Sequence, residues 1–106
     1  MLVVTRFRVE ESDAAAFRLA LEDARAALAD RPGHLSGTAG RNLDDPTLWT
    51  LVTVWEHVGA YRRALSAYDV KMRAVPLLSR AIDEPSAYEP VEPGTDLNRA
   101  GARSIG

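Results

Sequence analysis

The stretch 48–56 reads Leu-Trp-Thr-Leu-Val-Thr-Val-Trp-Glu and holds no Gly or Pro. Bulky, β-branched or aromatic residues at nearly every position predict a strand. Its two faces are Trp49, Leu51, Thr53 and Trp55 on one side and Leu48, Thr50, Val52 and Val54 on the other, and neither is charged. A strand with one wet face alternates between apolar and polar residues. This one does not, so both faces are expected to be covered. One layer of helices covers one face only, and 106 residues do not supply two such layers. A second copy of the chain is the expected second cover.

The remaining periodicities arrange themselves around that strand. Residues 2–9 alternate as a strand, with Val3, Thr5, Phe7 and Val9 on one face and Leu2, Val4, Arg6 and Arg8 on the other. Ser12 or Asp13 is positioned to cap the helix that follows. Over 13–30, Phe17, Leu21, Ala24 and Leu28 recur at spacings of four, three and four, which predicts a helix; Arg31-Pro32-Gly33 ends it. Residues 34–42 predict a second strand, interrupted by Gly37 and Gly40. The turn cluster Leu43-Asp44-Asp45-Pro46 joins it to the central strand as a hairpin. Val58, Tyr61, Leu65 and Tyr68 form the apolar stripe of a second helix, 57–68. Pro76 suits the first turn of a short helix over 76–82. Residues 86–92 predict a last strand, which Pro90 places at an edge.

The order strand, helix, strand, strand, helix, strand is the split βαβ arrangement of a ferredoxin-like domain. The expected fold is therefore α+β, βαββαβ, with a four-stranded antiparallel sheet and both long helices on one face. Two such sheets packed face to face give a dimeric α+β barrel, and an isologous homodimer through the open sheet face closes it. The domain is expected over 1–92. Residues 93–106 are polar and aperiodic and read as a flexible C-terminal tail.

Composition narrows the function classes. A net charge of −2, with basic residues scattered, gives no footprint for nucleic acid. The absence of cysteine excludes disulfides, thiolate chemistry and Cys-ligated metal sites. No stretch reaches membrane-spanning length and the N-terminus lacks a signal-peptide pattern, so a cytoplasmic location is expected. His34 and His57 stand apart and make no metal motif. No phosphate loop, nucleophile elbow or His-Glu-x-x-His motif is present.

The opening Val-Val-Thr-Arg-Phe-Arg-Val strand, the Arg-Pro-Gly-His turn, and Val52-Thr53-Val54-Trp55-Glu56 followed by Ala60-Tyr61 resemble the antibiotic biosynthesis monooxygenase family of dimeric α+β barrel proteins. The resemblance runs from Met1 to about residue 92. It implies oxidation of a phenolic, polyketide-type small molecule by O2 without a metal or organic cofactor. The substrate itself supplies electrons after losing a proton, inside an apolar pocket with a polar group to hold the anion. Haem-degrading relatives imply an Asn on the first strand and a Trp and a His in the second helical region. Here Thr5 and Arg6 occupy the first strand, and 58–82 contain neither His nor Trp, which argues against haem degradation. Many quinol-oxidising relatives carry a His partway along the second helix; this chain has Ala64-Leu65 there.

The candidate catalytic groups are Arg6, His57 and Tyr61, with Phe7, Trp55 and Tyr68 as candidate walls of the substrate pocket. Each has a plainer reading. Trp55, like Trp49, can be a core aromatic. Tyr61 and Tyr68 can donate to a backbone carbonyl instead of a phenolate. Arg6, a cation within a sheet strand, requires a partner in either role. His57 and His34 lie at element ends, where exposure is expected. An oxygenase on an aromatic substrate competes with a binding or accessory module of the same fold, and with an isomerase or cyclase built on it.

Overall fold

A computed structural model describes residues 1–97. The period-two stretch at the N-terminus forms β1 (Leu2–Arg8), and a single 3-10 turn at Glu11–Asp13 leads into α1 (Ala14–Ala29). β2 (His34–Arg41) and β3 (Leu48–Trp55) form the hairpin. They are followed by α2 (Val58–Ser66), α3 (Tyr68–Arg73), α4 (Val75–Leu78) and β4 (Ala87–Tyr88). The sheet order is β2-β3-β1-β4, antiparallel throughout. This is the ferredoxin-like α+β arrangement expected from the element order.

Alternation decides which residues form the core. Val3, Thr5 and Phe7 of β1 and Trp49, Leu51, Thr53 and Trp55 of β3 are buried beneath the helices. Their neighbours Leu2, Val4 and Arg6, and Leu48, Thr50, Val52 and Val54, are half-exposed on the outer face. The register pairs like with like across the strands, Val4 with Val52 and Leu2 with Val54 outside, Phe7 with Trp49 inside. α1 supplies Phe17, Leu21, Ala24 and Leu28 to the same core, and its alanines admit close packing against the sheet. Phe17 sits 5.2 Å from Phe7 and 5.4 Å from Trp49, ring centre to ring centre, within the range where tilted and edge-on aromatic pairs attract.

Four expectations are corrected. The second helix does not run unbroken to residue 68: Ala67 adopts an extended conformation (φ −69°, ψ 142°), and α3 starts afresh at Tyr68. Alanine carries no signal for such a break, and the buried Ala60, Ala64 and Val70 show that packing of each short helix decides it. Pro76 lies in the first turn as expected, but that helix is a single turn ending at Leu78. β4 is two residues long, so most of 86–92 makes no ladder. Asp13 stands at the cap of α1 without a side-chain bond to it. Residues 98–106 of the expected tail lie outside the described residues.

Two local devices set the geometry of the turns. Gly33 has φ +87°, a conformation favoured by glycine, and its carbonyl accepts the Glu56 N–H at 2.8 Å. A side chain there would collide with the Ala60 Cβ of α2, so the turn and the helix seat each other. In the hairpin loop, Asn42 Oδ1 accepts from the N–H groups of Asp44 and Asp45 at 2.8 Å each. The Asp45 carboxylate accepts from the Thr47 hydroxyl at 2.7 Å, the Thr47 N–H at 3.0 Å and Arg8 at 2.6 Å. Those bonds, the Thr47 hydroxyl first, hold the Asp45 carboxyl at about 2, below its ordinary 3.8.

Gly33→Ala combines backbone strain with a clash and is expected to lower stability by about 2 kcal/mol or more; urea denaturation at neutral pH measures it, and an unchanged midpoint refutes the seating of α2 on this turn. The folded state binds a proton at Asp45 less readily than the unfolded chain does. Its contribution is therefore complete above about 3.8 and lost as pH falls through about 2. Stability followed from about pH 5 to about pH 2 is expected to contain a component that Asp45→Asn abolishes; the same pH slope in the variant contradicts it.

Candidate active site

Trp55 ends β3 with its ring in the core, 1% exposed. Its indole N–H donates to the Thr53 hydroxyl at 2.9 Å, two residues back on the same face, so its polar atom is satisfied inside the core. His34 of β2 meets the ring edge-on at 5.1 Å, and Tyr61 of α2 tilts against it at 5.4 Å. Trp55 thus acts as the plate on which Tyr61 rests. His57 fixes the start of α2: its Nδ1 accepts the Ala60 N–H at 3.1 Å. Tyr61 then follows one turn later on the face towards the sheet.

Tyr61 stands between two spaces. One is a small cavity of about 140 Å3 at the edge of β1, lined by Thr5, Arg6, Tyr61, Ile82, Glu84 and Ser86 among others. It exists because the chain returning from α4 bonds β1 only at intervals. Ile82 N–H reaches the Arg6 carbonyl at 2.8 Å and Val4 N–H reaches Ser86 at 2.7 Å. Between those bonds the chain carries Glu84, which clamps Arg6 in a bidentate pair at 2.7 and 2.6 Å. The other space is a groove of about 930 Å3 between α2 and the C-terminal segment, lined by Met1, His57, Tyr61, Leu65, Tyr88 and Val91 among others. Among the described residues Tyr61 alone lines both spaces.

The electrostatics follow from these placements. Burial pushes the Tyr61 phenol above its ordinary value of 10.0, so at neutral pH it is a neutral donor. Among the described residues its hydroxyl has no hydrogen-bond partner. The hydrogen bonds that Arg6 donates to Glu84, and then the attraction of the two opposite charges, raise Arg6 and lower Glu84; the charge of Arg6 is answered within its own chain. His57 is exposed. With Nδ1 accepting the cap bond, a neutral imidazole carries its proton on Nε2. That nitrogen can donate to an oxyanion, while the ring's basic lone pair, on Nδ1, is taken up by the cap. Burial first, then the Arg25 cation, pushes His34 below its ordinary 6.5, and its Nε2 is buried without a partner among the described residues.

Of the six residues singled out from the sequence, the structure brings Arg6, Tyr61 and His57 to two adjoining spaces. It does not bring Phe7 or Tyr68 there. Phe7 is 1% exposed and packed on Phe17, because the inner face of β1 points into the α1 core at that position. Tyr68 is 76% exposed, because the break at Ala67 turns it off the stripe of α2. Trp55 is core and reaches the site only through Tyr61. Sequence reasoning missed Thr5 and Glu84 as wall residues. Thr5 was visible as a polar residue on an otherwise apolar inward face. Glu84 carried no local signal, since its partner lies 78 residues away.

The sequence profile of the antibiotic biosynthesis monooxygenase family matches residues 1–71. Among solved structures the chain is similar to SnoaB, a cofactor-independent oxygenase from Streptomyces nogalater, at 27% identity over 76% of this chain and 82% of that one, with a TM-score of 0.66. It shares its fold with a proposed antibiotic biosynthesis monooxygenase from Deinococcus radiodurans (20% identity, 92% and 100% covered, TM-score 0.70). The same holds for a conserved protein from Methanosarcina mazei (19% identity, 81% and 84% covered, TM-score 0.67). Comparison with curated proteins finds no match. The matched span takes in β1, α1, the β2–β3 hairpin and α2 with Tyr61, two thirds of the molecule, and on that ground the chain belongs to the antibiotic biosynthesis monooxygenase family.

Proposed function

We propose that this protein is a cofactor-independent monooxygenase that oxidises an aromatic or polyketide-type small molecule with O2. The observation that carries the reading is Tyr61: a half-buried, neutral phenol with an unengaged hydroxyl, seated between an apolar groove and a polar cavity. The groove has the volume of a site for a drug-sized ligand. In an anthrone-type substrate the reacting CH2 group loses two hydrogens and gains one oxygen atom as a carbonyl. The second oxygen atom leaves with those hydrogens as water, so the substrate is the sole electron source. The anion formed when the first proton leaves is what the protein must stabilise. Tyr61 O–H and the Nε2–H of His57 are donors on the groove wall for that charge. Arg6 contributes a fixed positive charge behind Tyr61, held in place by Glu84.

The proton acceptor is the weaker part of the constellation. Ala64-Leu65 supplies no base on α2, and His57 is committed to its cap. That favours a second reading, in which the same groove binds a hydrophobic metabolite without turning it over. The half-exposed outer face of β1 and β3 supports assembly as a homodimer. Val4, Val52 and Val54 lie at its middle and no element among the described residues covers them.

Oxygen uptake with a panel of anthrone-type phenols, without added metal or flavin, tests the reaction. Uptake is expected from the wild type, and Tyr61→Phe is expected to lower kcat/KM by about ten- to a hundredfold, somewhat less than a buried oxyanion donor because the site is partly open. Saturable binding with no uptake moves the assignment to the binding reading. Sedimentation is expected to give twice 11.6 kDa, and Val52→Lys, which sets a charge at the centre of the outer face, is expected to give a folded monomer. A wild-type monomer at working concentration defeats the dimer.

A further inference from the structure

At the opposite end of β3 from Trp55, about 20 Å away at the rise of a strand, lies a cavity the proposed reaction does not use. It measures about 560 Å3 between α1 and β2 and is lined by Arg18, Leu21, Glu22, Ala39, Gly40, Arg41 and Trp49. Its size falls within the range of small-molecule sites. It is open because β2 offers the small Ala39, opposite Leu51 on the inner face, where a larger side chain would fill the space.

Three features of its walls point to an anion. Trp49 is 8% exposed, and its indole N–H is buried with no acceptor among the described residues. Buried donors are normally paired. The other tryptophan shows the satisfied alternative, since Trp55 donates to Thr53. Second, the Arg41 guanidinium lies over the Trp49 ring at 5.1 Å. It is anchored through Nε to the Pro46 carbonyl at 2.7 Å and stands 3.9 Å from Glu11, so it is oriented but not tightly neutralised. Third, Arg18 faces the cavity from α1 with no ion pair among the described residues. The one carboxylate of the wall, Glu22, is taken up by Arg25 at 2.9 and 2.5 Å. A locally positive cavity is thus set in a chain of net charge −2.

We propose that this cavity binds a planar aromatic carboxylate. The flat floor of Ala39 and Gly40, the Leu21 side chain and the Trp49 ring fit an aromatic body. Guanidinium groups bind carboxylates in a fork geometry, and Arg18 and Arg41 stand on the cavity wall to do so. The site is separate from the groove at Tyr61 and does not depend on the reaction proposed for it.

The test titrates the full chain with 2-naphthoate and follows both tryptophan indole N–H signals by 1H–15N NMR, assigned with Trp49→Phe. Saturable movement of the Trp49 signal, with the Trp55 signal still, is expected. The neutral 2-naphthamide is expected to bind at least tenfold more weakly, and Arg18→Gln and Arg41→Gln are each expected to weaken 2-naphthoate at least tenfold. Arg18 is exposed, so that variant retains the fold and keeps the test decisive. Equal binding of acid and amide, unchanged affinity in Arg18→Gln, movement of the Trp55 signal instead, or full displacement by equimolar inorganic phosphate would each overturn the assignment.

Discussion

Everything in this molecule hangs on the pleat of two adjacent strands. A strand sends successive side chains to opposite faces, and β1 and β3 are paired so that equivalent faces coincide. One face carries Val3, Phe7, Trp49, Leu51 and Trp55 into the helical layer; the other presents Leu2, Val4, Val52 and Val54 outward. A slip of one residue in either strand would reverse both sets at once. The helices are fixed by the same constraint. α1 lays Phe17 between Phe7 and Trp49, and α2 lays Tyr61 on Trp55. The outer face, apolar and half-exposed, is a consequence of building the inner one.

The two tryptophans of β3 show how alike residues on one face acquire different roles. They are six positions apart and both point under the helices. Trp55 has Thr53 beside it on the same face, and its N–H is satisfied locally. It is then free to act as a passive support for Tyr61, whose phenol burial pushes above its ordinary value. Trp49 also has a threonine two residues back, but the Thr47 hydroxyl donates to Asp45 and accepts from Arg8; the Trp49 N–H is left unpaired among the described residues, and its ring borders an open cavity walled by two guanidinium groups. The difference is that the hairpin loop has already claimed the first of the two threonine hydroxyls.

The site at Tyr61 is built from weak local commitments. His57 is committed to capping α2 and offers a donor more readily than a base. Arg6 is committed to Glu84, which steadies its charge at the cost of damping its field. In the reaction we propose, such an arrangement would hold an anion that the substrate itself generates. It offers no strong base, so the proposed reaction calls for a substrate whose own proton is acidic.

Much of this was legible along the chain. The uncharged run 48–56, the stripe Phe17, Leu21, Ala24 and Leu28, and the Arg31-Pro32-Gly33 stop determined the element order and which faces are apolar, because period and turn chemistry are local properties. Tyr61 was legible for the same reason, as one position of an amphipathic helix. What the chain could not show was decided by contacts between distant segments. Ala67 breaks the helix because α2 and α3 seat on different parts of the core, and Tyr68 is thereby turned outward. Phe7 looks no different from a pocket wall until α1 is laid over it. Glu84 meets Arg6 across 78 residues. Sequence by itself settled the layers, since burial of a face needs only the pattern of that face. The tertiary structure settled which side chains share a cavity, since that depends on pairings between segments that no local pattern encodes.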